Sequence, residues 1–259
     1  MISLTIADAV AEIVLDAPQK LNSLDEQALQ DLAQAYDDAA AAAARGEVRA
    51  LLLRGEGRAF CAGRDIGGVT PENDDAQAYL GGLVQPLLKK MSAFPAPTFA
   101  AAQGACLGVG LGLLLATDVV YVAENAKFGS PFAKLGATLD SGGHWYFTER
   151  LGMHRTLDLI YTAELMSGAE AVAQGLFSRA MPADELLETT RVIMARVAAG
   201  ATGAFNASKE LVAHLRDQRL GLWEAMEEEN AEQARLCKSE DYAEGFRAFQ
   251  EKRTPVFKG

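Results

Sequence analysis

Two glycine-rich loops contain residues whose types and spacing could hold a negatively charged atom. The first loop, residues 60–66, reads FCAGRDI and follows an apolar run that is typical of a buried strand. The second loop, residues 104–112, leads from a strand into a helix. Glycine lets the backbone approach a ligand closely, and the free N–H groups at a helix N-terminus favour negative charge. The four-residue spacing of Gly104, Gly108 and Gly112 also fits close packing against a neighbouring helix, so the glycines alone leave both interpretations open.

A carboxylate stands in the third loop, residues 128–145. Asp140 ends an apolar stretch and is followed by Ser141 and two glycines. A carboxylate in apolar surroundings suits acid–base chemistry because burial raises its pKa. Considered without its context, Asp140 or Ser141 is simply an N-cap of the next helix.

The elements that must position these loops alternate between strand and helix in the first half of the chain. The hydropathy pattern predicts a strand hairpin at 2–15, broken near Ala7 and Asp8, and a helix at 25–45 with Ser23 as its N-cap. The other predicted segments before residue 130 are strands at 48–54, 97–102 and 118–123, helices at 75–92 and 111–117, and a polar loop at 69–75. After Ser141, helices are predicted at 142–151, 153–162, 168–174, 184–199, 203–219, 221–237 and within 239–258. This order predicts an α/β core with crossover connections at 1–200 and a helical C-terminal region at 201–259.

The charge and hydropathy of the chain argue against several classes of partner. With 35 acidic and 24 basic residues the net charge is -11, which disfavours nucleic acid and an anionic membrane surface. The longest apolar stretch, 111–116, is too short to cross a bilayer, and the first residues lack the basic start of a signal peptide. We therefore expect a soluble cytoplasmic protein.

The cysteines and histidines are spaced too far apart for a disulfide framework or a metal site. They are Cys61, Cys106, Cys237, His144, His154 and His214. The glycines of the second loop do not have the GxGxxG spacing of a dinucleotide site. The sequence therefore predicts no metal and no separate cofactor.

Taken together, the three loops resemble the crotonase (enoyl-coenzyme A hydratase/isomerase) superfamily. The resemblance is carried by AFCAGRDI at 59–66 and by PTFAAAQGACLGVGLGLLLATDVVYVAENAKFGSPFAKLGATLDSGG at 97–143. It extends to PQKLNSL at 18–24 and EKRTPVFKG at 251–259, so it covers essentially the full chain. The resemblance implies a crotonase (ClpP-like) spiral of ββα units with a helical C-terminal region for trimerisation. It also implies a homotrimer or a dimer of trimers.

The resemblance places an oxyanion hole at the backbone N–H groups of Arg64 and Val109. Two preorganised amides stabilise the charge that a thioester enolate develops on its oxygen. Because Arg64 would act through its backbone, we expect its guanidinium to be a solvated loop side chain. The substrate would be an acyl-CoA thioester, with coenzyme A as part of the substrate.

The resemblance also implies which residues contact that substrate. These residues are Lys20, Ala62, Gly63, Asp65, Ile66, Gly108, Phe132, His144, Trp145, Lys252 and Phe257. Lys20 would reach a phosphate, and the backbone of Ala62 would face the adenine amino group. Lys252 and Phe257 would contact the adenine, either within their own subunit or across a subunit boundary. The 69–80 segment and the 75–92 helix would shape the acyl pocket.

The reaction depends on which acids the site holds. Hydratases of this family use two glutamates, at positions that correspond here to Gly112 and Phe132. Asp140 resembles the single carboxylate of enoyl-CoA isomerases and of the ring-opening isomerases of phenylacetate degradation. One carboxylate suits a 1,3-proton shift, in which it removes a proton from C2 and returns it to C4. The sequence thus favours an acyl-CoA isomerase with Asp140 as acid and base.

Three alternatives remain open at the level of sequence: an enoyl-CoA hydratase-type lyase, an aryl-CoA dehalogenase-type hydrolase and a non-catalytic acyl-CoA-binding homologue. A dehalogenase would need an aromatic pocket whose tryptophan corresponds to Phe132. Apolar Phe132, Leu139 and Trp145 are expected beside Asp140. Glu149, further along the same helix, is interpreted as a surface carboxylate.

Overall fold

A computed structural model describes residues 1–70 and 72–259. Its strands, in chain order, are β1 Ile2–Ala7, β2 Val10–Leu15, β3 Ala50–Gly55, β4 Thr98–Ala102, β5 Ala105–Leu107, β6 Val119–Ala123, β7 Lys127–Gly129, β8 Met166–Ser167 and β9 Arg179–Met181. Six strands form one sheet in the order β1-β2-β3-β4-β6-β9, and β5-β7-β8 form a second, small sheet. The architecture is α/β, as predicted.

The large sheet is parallel except at its first strand. β1 pairs antiparallel with β2 through a turn at Asp8 and Ala9, whose φ angles of 50° and 60° fit a tight hairpin turn. The predicted hairpin is therefore confirmed. The central parallel strands are mainly apolar because both of their faces are covered, and Leu51, Leu52 and Leu53 of β3 are fully buried.

The helices are α1 Glu26–Ala44, α2 Gln85–Ser92, α3 Val109–Leu115, α4 Gly143–Thr162, α5 Gly168–Ala173, α6 Ala183–Ala198, α7 Thr202–Gln218, α8 Leu222–Leu236 and α9 Glu240–Glu251. A π-helical segment, Ala78–Val84, runs directly into α2. α6 packs on β2, β3, β4 and β6, and α1 packs on β1 and α2. No helix among the described residues is long and apolar enough to cross a membrane.

Three local predictions need correction or qualification. The N-cap of α1 is Asp25, whose Oδ1 accepts the N–H of Ala28 at 2.8 Å, and the predicted cap Ser23 is wrong because that residue lies in the preceding turn. The helices predicted at 142–151 and 153–162 both form, and Gly152, whose φ of 78° and ψ of 164° are not helical, separates them within the span of α4. The predicted loop at 69–75 includes Pro71, which lies outside the described residues.

From Thr202 to Glu251 the chain consists of α7, α8 and α9 and their short connections. The end of the chain returns to the sheet at Arg49, which directly precedes β3. The Arg49 guanidinium donates to Thr202 Oγ1 at 3.0 Å, to the Phe257 carbonyl at 3.2 Å and to the Gly200 carbonyl. The domain boundary near residue 200 stays a prediction.

Candidate active site

The loop after β3 is held so that one backbone amide stays free. The N–H of Leu24 donates to the Gly63 carbonyl at 2.8 Å, and the N–H of Asp65 donates to the Leu24 carbonyl at 2.9 Å. Because successive backbone groups of an extended chain point in opposite directions, the N–H of Arg64 points away from Leu24. No hydrogen bond within residues 1–70 and 72–259 uses that N–H.

A second free amide lies at the start of α3. Gly108 is the N-cap, with φ 51° and ψ -121°, and no side chain caps the helix. The N–H of Gly108 donates to the Gly129 carbonyl at 3.2 Å. The N–H of Val109 is thus one of the orphan donors of the helix, and no partner for it occurs among the described residues. The helix dipole adds positive potential at this point.

Backbone hydrogen bonds join these two loops. Cys61 faces Cys106 in a parallel bridge, in which the Cys61 N–H donates to the Ala105 carbonyl and the Leu107 N–H donates to the Cys61 carbonyl, both at 3.0 Å. Gly63 has a φ of 100°, and a Cβ there would lie 2.9 Å from the Leu107 carbonyl oxygen. The two free amides therefore belong to one closely packed unit at the carboxyl ends of the parallel strands, which is where α/β sheets commonly bind ligands.

Asp140 does not cap α4. The N-cap of that helix is Gly142, which offers no side-chain bond, and only the backbone carbonyl of Asp140 accepts, from the Gly143 N–H at 2.8 Å. Asp140 Oδ1 and the adjacent Ser141 Oγ are buried and have no hydrogen-bond partner among the described residues. Ser141 also has a positive φ of 53°. Unpaired buried polar atoms and left-handed backbone both cost free energy and are concentrated at functional sites.

The surroundings of Asp140 favour its protonated form more than water does. Burial raises the pKa of the Asp140 carboxyl above its ordinary value. The adjacent Ser141 hydroxyl and the charges of Arg64 and His144 oppose this increase, although no hydrogen bond of good geometry joins Ser141 to the carboxylate. A carboxyl whose pKa is raised toward neutrality can both accept and return a proton.

The two positions at which the family's hydratases carry glutamates have other roles here. A Cβ at Gly112 would lie 2.4 Å from Ser141 Cβ, so Ser141 fills the space that a larger side chain would need. The ring of Phe132 lies 3.1 Å from where a Cβ of Gly108 would be. Ser141 therefore takes up the space beside α3, and an apolar ring covers the second loop.

Gly112→Ala is expected to lower kcat by up to about 10²-fold, because the new methyl group must push Ser141, and Asp140 with it, out of position. Gly82→Ala is a matched control, since no atom lies within 4 Å of a Cβ at Gly82. Both variants should be assayed for kcat and KM, with thermal unfolding to confirm folding. Full activity in Gly112→Ala would contradict the close packing of α3 against Ser141.

A surface cleft of about 740 Å³ lies beside the first loop. Lys20 and Asp65, both predicted to contact substrate, form an ion pair there at 2.8 Å. Ala62 donates its N–H to the Leu21 carbonyl at 2.9 Å, which places it next to this cleft, and the side chain of Ile66 is 60% exposed. These four residues thus lie together around the loop that carries Arg64.

Two predicted residues in the first turn of α4 have other partners. His144 Nε2 lies 3.2 Å from Thr138 Oγ1. Trp145 contacts Tyr146 edge-on and has the guanidinium groups of Arg216 and Arg219 at 5.8 and 6.0 Å. The ring of Trp145 is therefore engaged by α7.

Glu149 forms a bidentate ion pair with Arg219, at 2.7 and 2.9 Å, on the exposed surface of α4. That hydrogen-bonded pair lowers the pKa of Glu149. The interpretation of Glu149 as a surface carboxylate agrees with this geometry.

Lys252 and Phe257 do not approach the two loops within this chain. Phe257 is attached to Arg49, at the amino end of β3, whereas Arg64 follows the carboxyl end of that strand. Lys252 ends α9 in a left-handed conformation and is exposed. Any contact of these two residues with substrate at the loops would have to come from a neighbouring subunit.

The structure adds two residues that the sequence did not indicate, Asp74 and Tyr79, both in contact with the Arg64 side chain. The Arg64 guanidinium, expected to be solvated, pairs with Asp74 at 2.8 Å and lies 4.1 Å from the ring centroid of Tyr79. That expectation was wrong because it considered only the loop's own residues. The polar 69–75 segment gave no sign that Asp74 folds back, and Tyr79 looked like an ordinary apolar position on the predicted helix.

A larger cavity of about 950 Å³ lies on the other side of Ser141, between the α2 region and α7. Its floor contains Gly112, Ser141 and Tyr146, and Leu80 and Val84 form an apolar wall. The cavity agrees with the predicted position of an acyl pocket along the 75–92 segment. Within the described residues, no group of acidic, histidine or cysteine side chains could hold a metal ion.

A family model described as enoyl-CoA hydratase/isomerase matches residues 5–259. The chain therefore belongs to the enoyl-CoA hydratase/isomerase family. It is 36% identical to the "probable enoyl-CoA hydratase" of Rhodobacter capsulatus, over 98% of this chain and 96% of that protein. It is 28% identical to the 1,2-epoxyphenylacetyl-CoA isomerase of Escherichia coli, over 98% and 97%.

The fold agrees with this membership. The crystal structure of an enoyl-CoA hydratase from Bacillus anthracis superimposes with a TM-score of 0.90 at 29% identity, over 100% of this chain and 99% of that one. The crotonase fold predicted from the sequence is confirmed.

Proposed function

We propose that this protein isomerises an acyl-CoA thioester, with Asp140 as the acid and base and the amides of Arg64 and Val109 as the oxyanion hole. The observation that carries the proposal is the Asp140 side chain. It is half-buried, its buried Oδ1 has no partner among the described residues, and burial raises its pKa. The adjacent Ser141 lies against α3, whose first turn provides one of the two free amides.

The proposed chemistry is a proton shift. Asp140 removes a proton from C2 of the acyl group, and the electron pair moves onto the thioester oxygen to form a dienolate. The two amides hold that oxygen as it becomes negative, which is worth about 3–4 kcal/mol per donor in comparable sites. The protonated Asp140 then returns the proton at C4, so that the C3–C4 double bond becomes C2–C3 and the enzyme returns to its starting state.

Hydration is disfavoured because it needs a second acid to activate water. Three carboxylates near the site are already paired: Asp65 with Lys20, Asp74 with Arg64 and Glu149 with Arg219. Position 112 has no room for an acid, and position 132 is a phenylalanine. The names of the relatives include both a hydratase and an isomerase, so they do not decide between the two reactions. The choice of isomerisation rests on which acidic residues this chain has at its site.

A ring-opening isomerisation is the second candidate. It uses the same enolate stabilisation, and a relative at 28% identity is named 1,2-epoxyphenylacetyl-CoA isomerase. A dehalogenase is ranked lower because Phe132 stands in place of the expected tryptophan.

We propose that the coenzyme A part of the substrate lies along the 740 Å³ cleft beside the first loop. Lys20, Ala62, Asp65 and Ile66 surround that region, and Gly63 and Gly108 allow the thioester to approach the amides. Lys20 would exchange part of its contact with Asp65 for a phosphate. The acyl group would extend past Phe132 and Asp140 into the larger cavity. His144 and Trp145 stand in the first turn of α4, between Gly142 and Tyr146 of the cavity lining in sequence.

The proposal is tested by turnover of a panel of thioesters. We expect 3-enoyl-CoA substrates to be converted to 2-enoyl-CoA, and crotonyl-CoA to be hydrated slowly if at all. Efficient hydration of crotonyl-CoA, at about 10² per second or above, would contradict the isomerase assignment. Aryl-acyl and aryl-epoxide thioesters in the same panel distinguish the ring-opening and dehalogenase candidates, and binding without any turnover would favour the non-catalytic alternative.

We further propose that the protein assembles as a homotrimer or a dimer of trimers through its C-terminal helices. Phe246 and Phe249 of α9 are 53% and 84% exposed, and an apolar cavity of about 880 Å³ lies between α9 and the tail. Exposed apolar patches of this kind commonly mark interfaces.

Phe249→Glu is expected to lower the oligomeric mass, because a charge would be buried at the interface. Since Phe249 is largely exposed in the single chain, its replacement should leave the subunit folded. Val192→Glu on α6 is a control at another exposed apolar position. Light scattering coupled to sizing chromatography measures the mass. An unchanged mass for Phe249→Glu would show that α9 does not mediate assembly.

A further inference from the structure

Cys61 is a fully buried side chain, located between the two glycine loops, that the proposed reaction does not use. Burial raises the pKa of its thiol to about 12, so the thiol stays protonated at neutral pH and is a poor nucleophile. A buried group with no chemical step of its own can still act through the atoms that it contacts. The contacts of Cys61 therefore decide what it does.

The sulfur of Cys61 holds the first loop. Cys61 Sγ accepts the N–H of Gly63 at 3.4 Å, a distance that suits the large radius of sulfur, and the thiol lies 3.9 Å from the Gly63 carbonyl oxygen. Among the residues that the structure describes, the Gly63 N–H has no other acceptor. Because Gly63 is bonded directly to Arg64, this contact lies one residue before the first free amide.

The same side chain packs on the first turn of α3. A Cβ at Gly110 would lie 2.7 Å from Cys61 Cβ and 2.9 Å from Cys61 Sγ, so the two residues are in close contact. Gly110 directly follows Val109, whose N–H is the second free amide. Cys61 thus contacts the neighbour of each free amide in the chain, Gly63 on one side and Gly110 on the other.

The backbone pairing between the loops does not by itself place the two amides. The N–H and carbonyl of Cys61 bond to Ala105 and Leu107, both of which precede α3. After this pairing, each chain turns through a glycine with positive φ, at Gly63 in the first loop and at Gly108 in the second. The separation of the amides beyond these turns therefore also depends on the side chain that contacts both segments.

We propose that Cys61 is a positioning residue, whose side chain sets the separation of the Arg64 and Val109 amides. The inference rests on the proposed function, because it takes these two amides as the groups that hold the thioester oxygen. Two donors stabilise one oxyanion only when both lie about 2.7–3.1 Å from it. A change in their separation weakens at least one of these two hydrogen bonds.

Cys61→Ala is expected to lower kcat by about 10–10²-fold, because it removes the acceptor of the Gly63 N–H and opens space beside Gly110. KM should change little, since an oxyanion hole acts mainly on the transition state. Cys61→Ser keeps an acceptor on a shorter bond, so its kcat should lie between the two, about threefold below wild type.

Cys106→Ala is the matched control. Cys106 is equally buried, and its Sγ lies 3.8 Å from the carbonyl oxygens of Gln103 and Gly104 instead of contacting the first loop. Both alanine variants lose one buried sulfur and should lower the melting temperature to a similar extent. Cys106→Ala should nevertheless keep a kcat near that of wild type, whereas a purely structural role for Cys61 would make the two variants alike.

The infrared C=O stretch of bound butyryl-CoA, a saturated thioester labelled with ¹³C at its carbonyl, reads the oxyanion hole directly. Hydrogen bonds from the two amides should lower this frequency in wild type. The lowering should be smaller in Cys61→Ala and unchanged in Cys106→Ala. Crystal structures of the free variants give the separation of the Arg64 and Val109 nitrogen atoms without any substrate.

The inference is overturned, and the isomerase proposal stands, if Cys61→Ala matches Cys106→Ala in both kcat and carbonyl frequency. If Cys61→Ala does not fold, a Cys61→Ser protein with the wild-type kcat and carbonyl frequency overturns it equally. If butyryl-CoA shows no lowered frequency on wild type, the proposed oxyanion hole fails. The amide separation in the crystal structures then still decides whether Cys61 spaces the two loops.

Discussion

Asp140→Asn is expected to lower the isomerisation rate by about 10²–10⁴-fold while the protein still binds thioester. The amide has nearly the same shape as the carboxylate but cannot accept the C2 proton. Binding should persist because the cleft at Lys20 and the two free amides are unchanged. Stopped-flow or steady-state assays give kcat, and calorimetry with a non-reactive thioester gives the affinity.

Glu149→Gln is the matched control for this substitution. It makes the same change from acid to amide on an exposed face of α4, and it removes only the surface pair with Arg219. Its kcat should remain within about twofold of wild type, since exposed ion pairs contribute little. If Asp140→Asn kept more than about a tenth of the wild-type kcat, Asp140 would not be the general base.

Asp140→Asn should also make the protein more stable at neutral pH. The folded-state pKa of Asp140 lies above its ordinary value of 3.8. At pH 7 the carboxyl is therefore harder to ionise in the folded state than in the unfolded state, which lowers the free energy of unfolding. The neutral amide removes this penalty. The gain in melting temperature should be largest at pH 7 and should vanish as the pH falls below the ordinary aspartate pKa.

Gly63→Ala is the second substitution with a large expected effect, a loss of about 10²–10³-fold in kcat. Its φ of 100° is unfavourable for alanine, and the new Cβ would lie 2.9 Å from the Leu107 carbonyl oxygen. The first loop would have to move away from the second, and the Arg64 N–H would move with it. The loss should fall mainly on kcat, because an oxyanion hole acts on the transition state.

Gly68→Ala serves as the control in the same loop. Gly68 has no positive φ, and no atom lies within 4 Å of a Cβ at that position. The control should retain most of its activity. If Gly63→Ala behaved like Gly68→Ala, the tight contact between the two loops would not be needed for catalysis.

Elements with strong local signals were predictable from the sequence. The hairpin, β3, β4, β6 and the helices after Ser141 were placed within a few residues of their observed bounds. The strands β5, β7, β8 and β9 were not predicted, because two or three residues are too few to show a period. These strands form through partners that are distant in sequence. Next to the pairing of β5 with β7, for example, the Gly108 N–H donates to the Gly129 carbonyl.

The candidate site was predictable only in part. The positions of Arg64, Val109 and Asp140 followed from the order of three motifs, and whether these residues act as predicted stays a prediction. The tertiary contacts around them carry no local signal. Arg64 meets Asp74 and Tyr79 only because the π-helical segment folds over the first loop, and the space at Gly112 is closed by Ser141, which lies far away in sequence.

Two of the three cysteines face each other between the glycine loops, and their burial limits where thiol-reactive reagents can modify the folded protein. Cys61 and Cys106 are fully buried; burial raises the pKa of Cys61 to about 12 and that of Cys106 well above its ordinary value. Neither is a thiolate at neutral pH, so both should resist alkylation and oxidation in the folded state. Cys237, between α8 and α9, is exposed. A maleimide dye added to the native protein should therefore attach at Cys237, which gives a reporter on the C-terminal helices without any substitution near Asp140.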